Sequence, residues 1–220
     1  MALVFGIANK KGGVGKSSIA HLFAITSAAE PINKKVLVID ASENKLLTFL
    51  NAYNKQSVYS FVKSSLEEVP QILAAESDSY DVVLIDFPVN VELPDFMTAA
   101  ICCSDFIVPT GVGIMDQIAT KDCLDSLNEV KSLRKAAGYN TNIKVLASNI
   151  DNEALGLEFY KVLDAQEIAH FKGSLIKNID ISQSIESCQQ VMDYVTEGVG
   201  WTPAQDIFHK VFIEFHSQLS

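Results

Sequence analysis

The stretch that decides the fold is residues 3–18, with the sequence LVFGIANKKGGVGKSS. It begins with a short apolar run, Leu3 to Ala8, and passes into a turn that is rich in glycine and lysine. The residues that follow, Ser17 to Ala29, have the apolar spacing of a helix. A strand that leads through such a turn into a helix is the local context of a phosphate-binding loop.

This turn also has the chemistry of a phosphate site. Its glycines let successive backbone N–H groups converge on phosphate oxygens, and the helix behind it adds the positive end of its dipole. Lys16 supplies a mobile charge for the β- and γ-phosphates, and Ser17 is placed to offer its hydroxyl to Mg²⁺. The alternative is a glycine-rich turn without a ligand. The predicted nucleotide-binding residues are Lys11, Gly12, Gly13, Val14, Gly15, Lys16, Ser17 and Ser18.

Short apolar runs predict the remaining strands. They are Val36 to Ile39, Val82 to Ile85, Phe106 to Val108 and Ile143 to Ala147. Such β-branched runs are typical of strands that are buried on both faces of a parallel sheet. Helical spacing separates them, in Leu93 to Ile101 and in Ile118 to Leu133. The alternation predicts an α/β fold with a doubly wound, mostly parallel sheet flanked by helices.

The last third of the chain is predicted to be helical. Apolar spacing indicates helices over Leu155 to Phe171 and Ile181 to Val195, and a closing amphipathic helix over Ile207 to Phe215. This last helix lacks a basic face, so core packing is favoured over a membrane anchor. No repeat or linker interrupts the sequence, and we expect a single domain over residues 1–220.

Two aspartates stand at the ends of predicted strands. Asp40 follows Val36 to Ile39 and Asp86 follows Val82 to Ile85. Parallel α/β sheets place their chemistry at the carboxyl ends of strands, where each aspartate could otherwise serve as a turn residue or a helix N-cap. Because a phosphate-binding loop accompanies them, we predict that Ser17, Asp40 and Asp86 hold Mg²⁺.

Composition narrows the class of protein. With 48% hydrophobic and 20% charged residues, the chain is predicted to be a globular, cytoplasmic protein without a secretory signal. Its four cysteines show no C-x-x-C spacing, which argues against a zinc or redox motif. The net charge is −10, and residues 151–220 carry four lysines and eleven acids, a balance of −7. That last third of the chain is expected to repel nucleic acid.

The run from Lys11 to Ser17, KGGVGKS, resembles the deviant Walker A motif of the ParA/MinD family of ATPases. A strict P-loop pattern would place glycine at Lys10. The resemblance implies ATP and Mg²⁺ as cofactors and a homodimer in the ATP state. It also implies that Lys11 reaches across the dimer interface to the partner's nucleotide, and that Lys11, Lys16 and Asp40 are catalytic.

Other segments extend the resemblance over most of residues 1–150. The stretch Tyr80 to Pro88 is similar to the family's Walker B and switch II segment, which implies that Asp86 holds a Mg²⁺-bound water. The stretch Cys103 to Pro109 resembles another family strand. Asn149 stands where relatives carry an asparagine near adenine. The alternative is that Asn149 is a turn residue after a strand.

Ser42 departs from the family pattern. Relatives usually carry a second aspartate there, linked to hydrolysis, whereas this chain reads Asp40-Ala41-Ser42. A serine hydroxyl neither takes up a proton from the attacking water nor holds a negative charge near it, so slow hydrolysis is predicted. Three interpretations stay open: a natural slow ATPase, rescue by another group such as Glu43, or an engineered trap of the ATP state. The run Ser42 to Lys45 also resembles VirC1-like relatives.

The resemblance implies a switch ATPase that partitions or positions plasmid DNA, conjugation machinery or another cargo, stimulated by a ParB-like adaptor. Nonspecific DNA binding is not expected, because the arginines and lysines by which many relatives bind DNA are largely missing beyond residue 150. Two other classes stay open. One is a metabolic P-loop ligase of the dethiobiotin-synthetase-like type, and the other is an interaction module that senses ATP without hydrolysing it.

Overall fold

A computed structural model describes residues 2–28, 32–43, 46–53, 59–176 and 203–219. The side chains of residues 51–53 and 203–209 are not included in this description. The predicted helix over Ile181 to Val195, together with Cys188, lies outside the described residues. The other three cysteines, Cys102, Cys103 and Cys123, are free thiols, and the last two are buried.

The strands form one sheet in the order β3-β2-β4-β1-β5-β6-β7, and every described pair is parallel. A parallel sheet with helical connections is the doubly wound α/β architecture that the sequence predicts. The strands are β1 (Leu3–Ile7), β2 (Val36–Asp40), β3 (Ser60–Lys63), β4 (Val82–Asp86), β5 (Asp105–Thr110), β6 (Asn142–Ile150) and β7 (Leu175–Ile176).

Helices cover both faces of the sheet. They are α1 (Lys16–Ala28), α2 (Leu46–Tyr53), α3 (Val69–Glu76), α4 (Leu93–Ala100), α5 (Ile114–Ala136), α6 (Glu153–Ala165) and α7 (Pro203–His216). Buried residues of α1, α2 and α7 form one hydrophobic cluster against the sheet. Buried residues of α3, α4, α5 and α6 form the other cluster, on the opposite face. Strands between two such layers are buried on both sides, which explains their continuous apolar runs.

Five strands match the sequence prediction, and β3 and β7 are additional. β3 is an edge strand whose ends are exposed, and its sequence, Ser60-Phe61-Val62-Lys63, is too short and too polar to resemble the buried strands. The prediction of a helix up to Phe171 was wrong, because α6 ends at Ala165. Glu167 then adopts a left-handed backbone with φ 56°, which a continuing helix does not allow.

The closing helix α7 packs into the core. Phe215 is fully buried, and its ring stacks on Phe23 of α1 with 4.1 Å between ring centroids. Val211 and Phe212 are buried beside it. These contacts confirm core packing for the described part of this helix. Within the described ranges, no helix is both long enough and apolar enough to cross a membrane.

Candidate functional site

The loop between β1 and α1 has the open backbone that a phosphate cradle needs. The backbones of Gly13 and Gly15 are left-handed, with φ 79° and 91°, a conformation that residues with a Cβ atom rarely adopt. A Cβ atom added to Gly12 or Gly13 would meet no protein atom within 4 Å. The space above these two glycines is therefore free for a ligand that approaches the backbone closely.

Buried polar side chains fix the loop to neighbouring strands. Asn9 is 2% exposed, and its Nδ2 donates to the carbonyl of Pro109 at 2.8 Å and to Thr120 Oγ1 at 3.0 Å. Its Oδ1 accepts the backbone N–H of Lys11 at 3.0 Å. On the other side, Ser148 donates its hydroxyl to the carbonyl of Val14 at 2.7 Å. The sequence prediction missed Asn9, although an amide two residues after β1 is a usable signal for a loop anchor.

Lys16 is the first residue of α1 and is 7% exposed. Its Nζ donates to the carbonyl of Lys11 at 3.2 Å, so the ammonium group curls back over the glycine loop. Burial lowers its pKa, while the charge of Asp86 opposes this effect. An ammonium with so little water around it interacts strongly with an anion placed in the loop. Ser18, two positions further along the helix, is half-buried.

Ser17, Asp40 and Asp86 come together at the carboxyl edge of the sheet. Asp40 and Asp86 are opposite each other in the register of β2 and β4, and both side chains are fully buried. The Ser17 hydroxyl donates to Asp86 Oδ2 at 2.6 Å. Two buried carboxylate oxygens, Asp40 Oδ2 and Asp86 Oδ1, have no hydrogen-bond partner in the described part of the chain.

The electrostatics of Asp86 fit a cation site. Burial raises the pKa of Asp86 to about 6 from its ordinary 3.8, and the charge of Asp40 adds to this rise. The hydrogen bond from Ser17 and the charge of Lys16 act in the opposite direction. A hydroxyl and two buried carboxylates with unpaired oxygens are the hard oxygen ligands that Mg²⁺ or its bound waters prefer. These three residues therefore fit the metal predicted from the sequence.

Ser42 lies beside this pair and is 6% exposed. Its hydroxyl donates to Asp40 Oδ1 at 2.6 Å, and its backbone N–H donates to the same oxygen at 3.0 Å. An ionised aspartate at this position would have no side-chain proton to donate. Ser42 thus orients Asp40 instead of placing another negative charge in the site.

Lys11 makes an ion pair that the sequence does not indicate. Its Nζ lies 2.8 Å from Asp116 Oδ1, at the start of α5, and 36% of its side chain is exposed. The neighbouring Lys10 also contacts α5, where its Nζ donates to Ser126 Oγ at 3.0 Å. Asp116 follows β5 closely and so lies at the same sheet edge as the glycine loop, which is the signal that could have found it.

Asn149 ends near the glycine loop. It has a left-handed backbone with φ 57°, as turn residues do, and its Nδ2 lies 3.5 Å from the carbonyl of Gly13. This contact is long for a hydrogen bond. The backbone fits a turn residue and the location fits a residue near the nucleotide, so both interpretations of Asn149 stay predictions.

Comparison with known families gives one match that covers most of the chain. The family described as CobQ/CobB/MinD/ParA nucleotide binding domain matches residues 5–199. No curated protein matches the sequence.

Three solved structures with similar folds are distant in sequence. McdA from Cyanothece is 15% identical, with a TM-score of 0.72, covering 97% of this chain and 99% of that chain. A protein from Borrelia burgdorferi, described as a plasmid partition protein and bound to AMPPNP, is 15% identical, with a TM-score of 0.69 and 99% coverage of both chains. Cobyrinic acid a,c-diamide synthase from Mycobacterium smegmatis, with an ATP analogue and magnesium, is 15% identical, with a TM-score of 0.64, covering 86% of this chain and 95% of that chain.

Proposed function

Because the chain belongs to the CobQ/CobB/MinD/ParA nucleotide-binding family, we propose that it is an ATPase switch that binds Mg-ATP and dimerises in the ATP state. The observation that carries the proposal is the composite site at the end of β1. An open glycine loop, a buried lysine and two buried carboxylates with unpaired oxygens meet there. The first two suit polyphosphate, and the carboxylates suit its metal ion.

Each residue has a distinct task in this proposal. The backbone from Lys11 to Ser18 surrounds the phosphates, and Lys16 balances the charge of the β- and γ-phosphates. Ser17 would offer its hydroxyl to Mg²⁺, and Asp40 and Asp86 would hold the ion, either directly or through its waters. The bound metal would neutralise charge on the phosphates. Asn9 and Ser148 keep the loop in shape before any ligand arrives.

Lys11 links the nucleotide to the dimer in this proposal. In the single chain its ammonium pairs with Asp116 across 2.8 Å. The pair is partly exposed, and such pairs are worth only about 0–1 kcal/mol, so the ammonium can leave Asp116 at low cost. A partner's phosphates offer it a stronger counter-charge than one carboxylate does. The nucleotide of one subunit thereby recruits Lys11 of the other.

The rate of hydrolysis follows from Ser42. Its hydroxyl donates to Asp40 and, as a neutral alcohol, is too weak a base to take a proton from an attacking water. We therefore expect slow turnover and a long-lived ATP dimer. The cargo in this proposal is plasmid DNA, conjugation machinery or another intracellular cargo, reached through a ParB-like adaptor, and the similarity to a plasmid partition protein supports the first of these. The −7 balance beyond residue 150 argues against nonspecific DNA as the surface on which dimers gather.

A metabolic ligase is the second candidate, and it is favoured by the similarity to cobyrinic acid a,c-diamide synthase. Such an enzyme would use the same phosphate site to activate a small acid. The two candidates differ in the oligomer that ATP produces, because only the switch needs Lys11 in a second subunit. The module that senses ATP without hydrolysis differs from both by releasing no phosphate.

Calorimetric titration with ATP and Mg²⁺ tests the nucleotide site. Wild-type protein should bind ATP, and Lys16→Gln should lose binding, because the phosphates lose their buried counter-charge. Lys10→Gln is the matched control, since Lys10 is an exposed neighbour that contacts Ser126. Unchanged affinity in Lys16→Gln would remove the assignment of this loop.

A further inference from the structure

Lys63 brings a positive charge to the metal side of the site from a strand that the sequence did not reveal. It is the last residue of β3, and the parallel register of β2 and β3 places it opposite Asp40. Asp40 is in turn opposite Asp86 in the register of β2 and β4. Lys63, Asp40 and Asp86 therefore stand in one row across the carboxyl edge of the sheet.

The contacts of Lys63 are specific. Its Nζ lies 3.2 Å from Asp40 Oδ1, and it also donates to the carbonyl of Ser42. The Asp40 side chain is fully buried, whereas 45% of the Lys63 side chain is exposed. One end of this ion pair is thus fixed inside the protein, and the other is a long side chain with room to move into solvent.

Asp40 is engaged on one oxygen only. Its Oδ1 faces three donors, which are Lys63 Nζ, the Ser42 hydroxyl and the Ser42 backbone N–H. Its Oδ2 has no hydrogen-bond partner among the described residues, as is also true of Asp86 Oδ1. The donors therefore hold the carboxylate with one oxygen left for another ligand.

From this geometry we propose that Lys63 is a positioning residue and the resident counter-ion of Asp40, which balances the buried carboxylate when Mg²⁺ is absent. The inference rests on the proposed function, because it takes Mg²⁺ with a nucleotide as the ligand of the open oxygens. Lys63 and Mg²⁺ neutralise the same carboxylate. The charge of Lys63 therefore weakens the binding of Mg²⁺. Bound Mg²⁺ in turn weakens the ion pair between Lys63 and Asp40, because the coupling free energy is the same in both directions.

The test is the factor by which Mg²⁺ tightens ADP binding, measured by calorimetry in MgCl₂ and in EDTA. Lys63→Met should increase this factor by about three- to tenfold, because Mg²⁺ then meets an unbalanced carboxylate. Lys63→Gln, which keeps a donor for the Ser42 carbonyl but has no charge, should behave like Lys63→Met. Lys63→Arg keeps the charge and should match the wild type.

Lys121→Met is the matched control, since Lys121 pairs with Asp125 on the exposed face of α5, away from Asp40. It should leave the factor unchanged. A second readout is the melting temperature of nucleotide-free protein in EDTA, which Lys63→Met should lower more than Lys121→Met does. If Lys63→Met does not fold, Lys63→Gln and Lys63→Arg still give the comparison between a neutral and a charged side chain.

An unchanged or smaller Mg²⁺ factor in Lys63→Gln and Lys63→Met would overturn the inference, as would a wild-type factor in Lys63→Gln alongside a raised one in Lys63→Met. These results differ from a failure of the proposed function. In that case the wild-type protein itself would not bind ADP under either condition.

Discussion

Among single residues, the buried carboxylate of Asp86 lowers the free energy of unfolding of the metal-free protein. Burial raises its pKa to about 6 in the folded protein, from an ordinary value of 3.8. Between these two pH values the folded chain keeps a proton that the unfolded chain has released. The free energy of unfolding therefore falls as pH rises from about 4 to about 6, and the full penalty is present above that range.

Asp86→Asn should accordingly stabilise the metal-free protein at neutral pH, because an amide is not ionised and still accepts from Ser17. The gain should be on the order of 2 kcal/mol at pH 7.5 and should shrink toward pH 5. Urea denaturation in EDTA at several pH values measures it. Asp125→Asn, on the exposed face of α5, is the control and should show no such pH dependence. A gain that is absent or equal at all pH values would contradict the account of Asp86.

Ser42→Asp tests the cause of slow turnover. A carboxylate at this position would orient the attacking water, and the Lys63 ammonium near the Ser42 carbonyl offers it a partner. Phosphate release should rise about ten- to a hundredfold, which corresponds to a barrier lowered by about 1 to 3 kcal/mol. The dimer should also separate sooner if hydrolysis triggers its release.

Ser42→Asn is the control for Ser42→Asp, because it has a similar shape and no charge. Phosphate release and dimer lifetime are measured for all three proteins with ATP. If Ser42→Asp is no faster than the wild type, water is positioned by another group and Ser42 does not set the rate.

At the scale of elements, α7 illustrates a helix whose function is to complete the core. Phe215 is fully buried, stacks on Phe23 and lies 5.0 Å from the ring of Phe5, centroid to centroid. Phe215→Ala should lower the free energy of unfolding by about 3 to 5 kcal/mol, because it removes these contacts and leaves a cavity. Urea denaturation of the nucleotide-free protein measures the loss.

Ile213→Ala provides the matched control on the same helix. Ile213 is 55% exposed, and its truncation should change stability by less than about 0.5 kcal/mol. Similar losses for the two variants would show that α7 does not dock through Phe215.

The buried strands could be predicted from the sequence, whereas the edge strand β3 could not. The strands that are buried on both faces, such as β2 and β4, can be predicted from sequence because they are continuous apolar runs, which here end in Asp40 and Asp86. The edge strand β3 has a solvent-exposed border and needs no such run. The position of Lys63 beside Asp40 depends on the register between β2 and β3. The local sequence around Lys63 does not reveal that register.

At the scale of the whole molecule, the site is assembled from distant parts of the chain by the parallel sheet. The loop after β1, the aspartates that end β2 and β4, and Asp116 after β5 all meet at one edge. Motif spacing was enough to predict that the loop and both aspartates lie at one edge, because parallel strands present the same ends together; their roles in binding stay predictions. The partners of Lys11 and Lys63 follow from side-chain packing and required the structure.

If ATP joins two copies of this chain through Lys11, sedimentation velocity will detect the dimer and its dependence on that lysine. Wild-type protein should be a monomer with ADP and a dimer with ATP and Mg²⁺. Lys11→Ala should still bind ATP in calorimetry but stay monomeric, because the partner's phosphates lose their counter-charge, whereas Lys10→Ala should dimerise normally. Equal dimer populations for the wild type and Lys11→Ala with ATP would show that Lys11 does not join the two subunits.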